Sequence, residues 1–553
     1  MDQTQINQTR KKLLLIGIIS TVCLLYLLGR LYYIQIIKND LYLSEVNYQR
    51  NIDIPVNSGR GNIVDRNFIS FTDRQEKTVL LISNKVFEKN ERNLAIIEEI
   101  TGITINELEE ALDTPQQIVE LELLPDIEIS NGDLLIPKGV YFFEKKLRYQ
   151  DNQRLAHIIG YINSIDHNGM SGLEKSFNEV LFNSNKQKVT AVLDGKKRIL
   201  PGAGFSTVAE EGKHLQLTID YHLQTLGEEA LKNQNKNGAV VISNIKTGEL
   251  LSIASSPTYN PNRIQNHMNS YGDELYNKAL QMSFPPGSIF KLIVTAAALE
   301  EEQVTLDEVF HCNGQQEIGN VVIKCSAHNN IEEGLDITFQ QAVAESCNST
   351  LIQVGQRVGA KKIILMAKVF GLGERVDIGV LEEEKGHLPS GDHILGPAIG
   401  NISIGQGDIE VTPLQINQLT QIIANDGIKK DLYLIDKVID DDYDVIEEFD
   451  KPQEERVISQ EIAEALQDLM KRVMTSGTGK TIGELGNVTA GKTGTAQSAH
   501  KGEEIFHGWF TGYYPNDEPK YGVTVFIQQG GSGGRNAVPV FKEILEKMME
   551  LGY

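Results

Sequence analysis

Cysteine is scarce: the 553-residue chain has four, at Cys23, Cys312, Cys325 and Cys347, too few and too dispersed for a disulfide framework. Cys312 and Cys325 are near enough in sequence to pair across a loop if that region lies outside the cell. No Cys-x-x-Cys and no His-x-x-x-His occurs, so local spacing predicts no metal site, and nothing calls for a cofactor. Basic residues are outnumbered, 52 Lys and Arg against 75 Asp and Glu. The formal net charge of −23 excludes the basic surface that a nucleic-acid partner requires. Composition is otherwise ordinary for globular protein, and the length predicts two or three domains.

Long apolar runs are also few, but one stands near the N-terminus. Residues 1–12 are polar and end in Arg10-Lys11-Lys12, and residues 13–29 are free of charge and mainly apolar. Arg30 interrupts the run, which continues to Ile37. This is long enough to span a bilayer, and a terminal arginine reaches the interface. Bulky tyrosines and isoleucines follow it where a cleaved signal peptide carries small residues, so an uncleaved anchor is expected. The basic cluster before it predicts a cytoplasmic tail and an extracytoplasmic remainder.

The stretch Ser283 to Lys291 carries two prolines and a glycine, then opens an apolar, alanine-rich segment with almost no polar face. That pattern predicts a helix buried on all sides, with Ser288 in its first turn and Lys291 one turn on, on the same face. A lysine at the start of a buried helix is costly to keep charged, and a neutral lysine is a base. Nucleophile and base are thereby placed together. The same Ser-x-x-Lys spacing recurs at Ser243–Lys246 and Ser498–Lys501. In the first of these the serine falls on a strand and the lysine in the turn Lys246-Thr247-Gly248-Glu249, so their side chains have no reason to converge.

Downstream, a helical segment over 339–358 bears Glu345-Ser346-Cys347-Asn348, and a small-residue strand bears Lys492-Thr493-Gly494-Thr495. Ser288-x-x-Lys291, Ser346-x-Asn348 and Lys492-Thr493-Gly494, in that order, form the three-part signature of penicillin-binding proteins and serine β-lactamases, here with Cys347 in the middle motif. An earlier Ser176-Phe177-Asn178 reads as structural, as does Lys246-Thr247-Gly248, whose Glu249 would repel a carboxylate. Cys347 reads as a packed small residue.

The chain resembles class B penicillin-binding proteins, the membrane-anchored monofunctional transpeptidases, nearly end to end. Besides the trio, the resemblance rests on Arg60-Gly61-Asn62-Ile63-Val64-Asp65-Arg66-Asn67, Gly172-Leu173-Glu174, Leu217 to Asp220, Ile404-Gly405-Gln406-Gly407, Thr412-Pro413-Leu414-Gln415 and Gly508 to Tyr513. The family's Arg-Arg-Tyr-Pro-like stretch appears as Leu147-Arg148-Tyr149-Gln150, which leaves the subfamily open. The resemblance implies an α+β protein: a transmembrane helix, an elongated α+β pedestal, and a penicillin-binding/β-lactamase-like transpeptidase domain whose antiparallel sheet is flanked by helices. The expected partition is a tail at 1–12, an anchor at 13–37, a pedestal at 42–203, a linker and start of the catalytic domain at 204–236, and the transpeptidase at 237–553.

The activity implied is D,D-transpeptidation, cross-linking peptidoglycan stem peptides that end in D-Ala-D-Ala, with β-lactams as covalent inhibitors. Ser288 would be the nucleophile, Lys291 the base, Ser346 a proton relay and Asn348 a holder of the peptide amide. Lys492, Thr493 and Thr495 suit the terminal carboxylate, and Gly494 leaves room for the substrate backbone. The backbone N–H groups of Ser288 and Thr495 would form the oxyanion hole. Expected partners are stem peptides, lipid-linked precursors, the plasma membrane and a polytopic glycan polymerase. Two rivals share the trio, a β-lactamase and a β-lactam sensor. Glu382-Glu383-Glu384 is the stretch that could serve a hydrolase, but it reads as a solvated loop. A sensor usually carries several membrane spans, and only one is seen. No Glu-Asp-x-x-Phe glycosyltransferase signature precedes Ser288, which disfavours a bifunctional protein.

Overall fold

The computed structural model describes residues 3–55, 59–84, 86–114, 118–124, 136–163, 166–182, 188–192, 206–208, 212–268, 272–329, 333–379, 382–451, 453–500 and 503–553. Residues 204, 205 and 209–211 of the expected linker, and Lys501, lie outside the described residues. Packing divides the chain into two units.

The first unit comprises Met1–Asn57, Glu76–Lys146 and Lys186–Glu210. It begins with the helix Gln3–Tyr32, continued by a wider turn at Tyr33–Ile37. Among the described residues, Arg10–Ile37 is the one helical stretch long and apolar enough to cross a membrane, and it is unburied. Helices Glu91–Thr101 and Ile105–Leu112 are separated at Gly102. Gly102 caps the first helix at φ 71°, a left-handed conformation natural to glycine. Thr104 and Glu107 open the second with a capping box. Leu80, Ile82, Leu94, Ile97, Leu108, Val119 and Val140 form the core between these helices and a three-stranded sheet.

The second unit comprises Ser58–Gln75, Leu147–Asn185 and Glu211–Tyr553. Packing therefore groups the chain differently from a linear partition near residue 203. Ile63–Val64 pairs in parallel with His214–Leu217, which draws the first segment onto the C-terminal part. Asp65 accepts from the backbone N–H groups of Asn67, Ile69 and Tyr221, tying a tight turn to a helix start more than 150 positions away. Arg60 and Arg148 both clasp the fully buried Glu174, through Nε–Oε distances of 2.7 Å each. Asn178 of the Ser176-Phe177-Asn178 stretch accepts from Arg60 and from the Gly169 N–H, a structural use.

The central sheet is antiparallel and contains β1 (Gly238–Asn244), β2 (Leu250–Ser256), β3 (Ala490–His500), β4 (Glu503–Tyr514) and β5 (Tyr521–Ile527), in the order β2-β1-β5-β4-β3. The first hairpin thus pairs with the last strand, and β3 is left at an edge. One face packs against α1 (Tyr221–Asn233) and α6 (Gly533–Glu550), with Leu231, Val240, Phe510, Phe541 and Leu545 between them. The other covers α2 (Lys291–Glu300), α3 (Asn348–Val358), α4 (Pro413–Ala424) and α5 (Gln460–Thr475). Leu292, Ile293, Val294, Ala296, Ala297 and Ala298 of α2 are all at most 1% exposed, so this helix is enclosed on every side. The hairpin turn Lys246-Thr247-Gly248-Glu249 is held by Asn244, and Lys246 Nζ donates to Asn425.

Candidate active site

Ser288 lies in a single 3₁₀ turn, Gly287–Phe290, that runs directly into α2. Three contacts hold that turn. Trp509 Nε1 donates to Pro285 O at 3.0 Å, Phe284 and Val411 exchange backbone hydrogen bonds, and the Gly287 N–H donates to Gly405 O at 2.9 Å. Gly287 sits at φ 55°, and a Cβ there would fall 2.4 Å from Thr495 O, so only glycine lets the turn lie against β3. The Pro-Gly before Ser288 and the Ile404 to Gly407 stretch therefore serve one purpose, to seat the serine beside the edge strand. Ser288 is half-buried, and its hydroxyl makes no hydrogen bond to the described residues.

Lys291 is buried. Its Nζ donates to Ser346 O at 2.7 Å, Ser346 Oγ at 3.1 Å and Asn348 Oδ1 at 2.7 Å. Burial pushes the ammonium down to about 8, partly opposed by the nearby Cys347 and Cys325. Lys492, also buried, donates to Ser346 Oγ at 3.2 Å from the opposite side. It is held well below the ordinary lysine range by burial and then by the charge of Lys291. Ser346 Oγ thus accepts from two lysines, which leaves its own O–H free to donate elsewhere.

The sequence predicts a continuous helix through Ser346, but the structure breaks it. Helix Phe339–Ala344 ends, Ser346 adopts φ 61°, and Cys347 caps the start of α3. A non-glycine residue in the left-handed region is strained, and such strain is found where surrounding contacts over-determine it. Here the break turns the Ser346 carbonyl and side chain and the Asn348 side chain toward one ammonium, which an unbroken helix would not do. Asn348 Nδ2 donates to Lys324 O at 3.0 Å, so its amide is oriented from both ends.

On β3, Lys492 pairs with Thr511, Gly494 with Trp509 and Thr495 with Gly508, while the other edge of the strand pairs with no described strand. A Cβ at Gly494 would lie about 3 Å from Pro286 O and Ile289, so glycine is what permits the close approach to the Ser288 turn. Thr493 Oγ1 meets Thr478 Oγ1 at 2.5 Å, and Thr495 Oγ1 accepts from the Gly533 N–H at the start of α6. An open strand edge offers an extended peptide a ladder of main-chain partners. Thr478 and Gly533 were not singled out in the sequence, and no local motif marks them.

The other features fall elsewhere. Ser243 is buried on β1, its hydroxyl with no hydrogen-bond partner among the described residues, and Lys246 lies in the following turn. In the acidic stretch, Glu382 and Glu384 are exposed, whereas the Glu383 carboxylate accepts from the N–H groups of Val376, Asp377 and Ile378 and shapes the loop. Cys312 and Cys325 are free thiols. They nevertheless converge with His328 and Cys347 behind the Ser346 turn, a grouping that sequence spacing concealed because its members come from three segments.

The chain is similar to known proteins in sequence and in fold. Residues 238–546, more than half of the chain, match the penicillin binding protein transpeptidase domain. The chain is 28% identical over 576 aligned positions to stage V sporulation protein D of Bacillus subtilis, covering 98% of this chain and 86% of that protein. It is 30% identical over 393 positions to the peptidoglycan D,D-transpeptidase PbpA of Mycobacterium tuberculosis, covering 65% and 78%. The crystal structure of penicillin binding protein 3 from M. tuberculosis, complexed with aztreonam, superposes with a TM-score of 0.63 at 24% identity, over 90% of this chain and 97% of that one. With the site motifs in order on that fold, this chain belongs to the penicillin-binding protein transpeptidase family.

Proposed function

We propose that this protein is a membrane-anchored peptidoglycan D,D-transpeptidase working through an acyl-enzyme on Ser288. The observation that carries the reading is the buried set of hydrogen bonds joining Lys291 to Ser346 and Asn348, one helical turn beyond Ser288. In the proposed reaction, neutral Lys291 takes the Ser288 proton as Oγ attacks the carbonyl of the penultimate D-Ala. The oxyanion is held by the backbone N–H groups of Ser288 and Thr495. The proton passes through Ser346 to the departing nitrogen, terminal D-Ala leaves, and the ester remains on Ser288. An amine of a second stem peptide then attacks the ester, forming the cross-link and returning the proton. Water in place of the amine would give a carboxypeptidase.

Asn348 holds the donor peptide amide, and Lys492, Thr493 and Thr495 take its terminal carboxylate. That carboxylate brings the counter-charge that buried Lys492 lacks in the free site. Gly494 admits the peptide backbone. A β-lactam acylates the same serine; the M. tuberculosis relative was crystallised with aztreonam. The anchor places the tail of residues 1–12 in the cytoplasm and the catalytic unit outside the plasma membrane, with stem peptides and lipid-linked precursors as substrates. A polytopic glycan polymerase would supply the strands.

The test is release of D-Ala from a stem-peptide substrate by the detergent-solubilised full chain, with cross-linked product measured when an acceptor amine is added. Penicillin label should persist after washout. Label lost within seconds as penicilloate accumulates, without D-Ala release from the peptide, would overturn the transpeptidase reading in favour of a β-lactamase.

A pH dependence follows from Lys291. Only the neutral amine accepts a proton, and its ammonium is pushed down to about 8. The acylation rate should climb about tenfold per pH unit below that point and level off above it. Stopped-flow acylation from pH 6 to 9.5 measures this, and a flat profile would remove Lys291 as the base.

A further inference from the structure

We propose that Cys312, Cys325, His328 and Cys347 bind one structural zinc ion that pins the Ser346 turn from behind. Their potential ligand atoms all lie within 4.8 Å of one another, and all four residues are buried. The donor set is what zinc prefers, three thiolates and an imidazole. Cys325 Sγ stands 3.6 Å from Cys347 Sγ and 3.7 Å from His328 Nδ1. Tetrahedral zinc with ordinary bond lengths separates its sulfurs by roughly 3.8 Å and sulfur from nitrogen by roughly 3.5 Å.

The surroundings carry the inference further. His328 presents Nδ1 to the sulfurs, while its Nε2 lies 2.9 Å from Glu345 Oε2. A carboxylate on the far nitrogen fixes the tautomer that leaves Nδ1 free to ligate, the usual arrangement behind a zinc-bound imidazole. Thr350 Oγ1 donates to Cys347 Sγ at 3.3 Å, as an outer hydrogen bond to a thiolate would. The ligands also come from segments that need fastening. Cys312 ends the strand Val309–Cys312, Cys325 and His328 follow the strand Val321–Lys324, and Cys347 caps α3. The apolar core these segments share is small, and three of its five members are the cysteines themselves. A lobe with so little to bury gains most from a metal staple.

On binding, the three thiols lose their protons to solvent and three Zn–S bonds and one Zn–N bond form, with no oxidant or reductant involved. Since Cys347 lies between Ser346 and Asn348, the ion would hold both catalytic-motif side chains in the strained turn without touching substrate. The inference concerns this cluster and rests on the proposed function only for its consequence in acylation.

The full chain is purified in detergent without a histidine tag, and its metal content is measured by inductively coupled plasma mass spectrometry. About one zinc per chain is expected in the parent. Cys312→Ser and His328→Ala should each lose most of it, and their apparent Tm should fall by several degrees. Cobalt exchanged into the parent should show the thiolate charge-transfer and visible bands of a tetrahedral site, a readout that does not depend on any variant folding. Substoichiometric metal with four free thiols, a Cys325–Cys347 disulfide found by mass spectrometry, or zinc retained in both variants would each overturn the proposal. Activity stays out of the criterion, so a failed D-Ala assay and a failed metal assay remain distinguishable.

Discussion

Ser288→Ala is expected to abolish covalent labelling by fluorescent penicillin, with D-Ala release falling at least about a thousandfold. Ser288 is half-buried and its hydroxyl makes no hydrogen bond to the described residues, so removing one oxygen should shift stability by no more than about 0.5 kcal/mol. Thermal unfolding of the variant should therefore overlay the parent. Label retained on Ser288→Ala would show that another residue is acylated. Lys291→Met should also remove nearly all labelling, but through a different route. It fills similar volume yet leaves Ser346 O and Asn348 Oδ1 without their shared donor, so a modest loss of stability should accompany it. The pair of variants separates the group proposed to be acylated from the group proposed to activate it.

The second large effect is on stability, far along the chain from Ser288. Glu174 is wholly buried and accepts from Arg60 Nε, Arg148 Nε and the Tyr149 hydroxyl. Arg148 also pairs with Asp73 at 3.1 Å, and Arg60 donates to His167 O. Glu174 is the carboxylate that both enclosed guanidiniums share, and burial, followed by the charge of Arg148, pulls the Arg60 guanidinium below its ordinary range. Glu174→Ala leaves two buried cations facing each other, and should cost about 3–5 kcal/mol. Differential scanning fluorimetry should register a fall of several degrees or more in apparent Tm. Glu174→Ala unfolding within a degree of the parent would show that the cluster contributes little.

The same cluster explains why stretches without catalytic character stood out in the sequence. Arg60, Asp65, Arg148, Tyr149 and Glu174 are charged or polar residues with no nucleophile near them, and read in order they suggest nothing chemical. In the folded chain Arg60, Arg148, Tyr149 and Glu174 fasten Ser58–Gln75 to Leu147–Asn185, and Asp65 ties the first of these to Tyr221 in the remainder of the unit. Ion pairs and a parallel strand contact across more than 100 positions leave no local periodicity to read.

What the sequence determined by itself are features with a short physical range. The apolar run before Ile37, the buried helix after Ser288, the hairpin turn at Lys246 and each motif of the ordered trio follow from neighbours a few residues apart. Hydropathy, turn chemistry and helical spacing act at that range. The tertiary structure alone decided three other things. It left β3 at the edge of the sheet, because β1 pairs with β5 and not with the strand that carries Lys492. It broke the expected helix at Ser346, where contacts from Lys291 and Lys492 hold a backbone conformation that local propensity opposes. It also gathered Cys312, Cys325, His328 and Cys347 into one cluster, although their spacing matches no local metal motif. Each is a meeting of distant segments, set by which apolar faces can be buried together, and a one-dimensional pattern does not encode that choice.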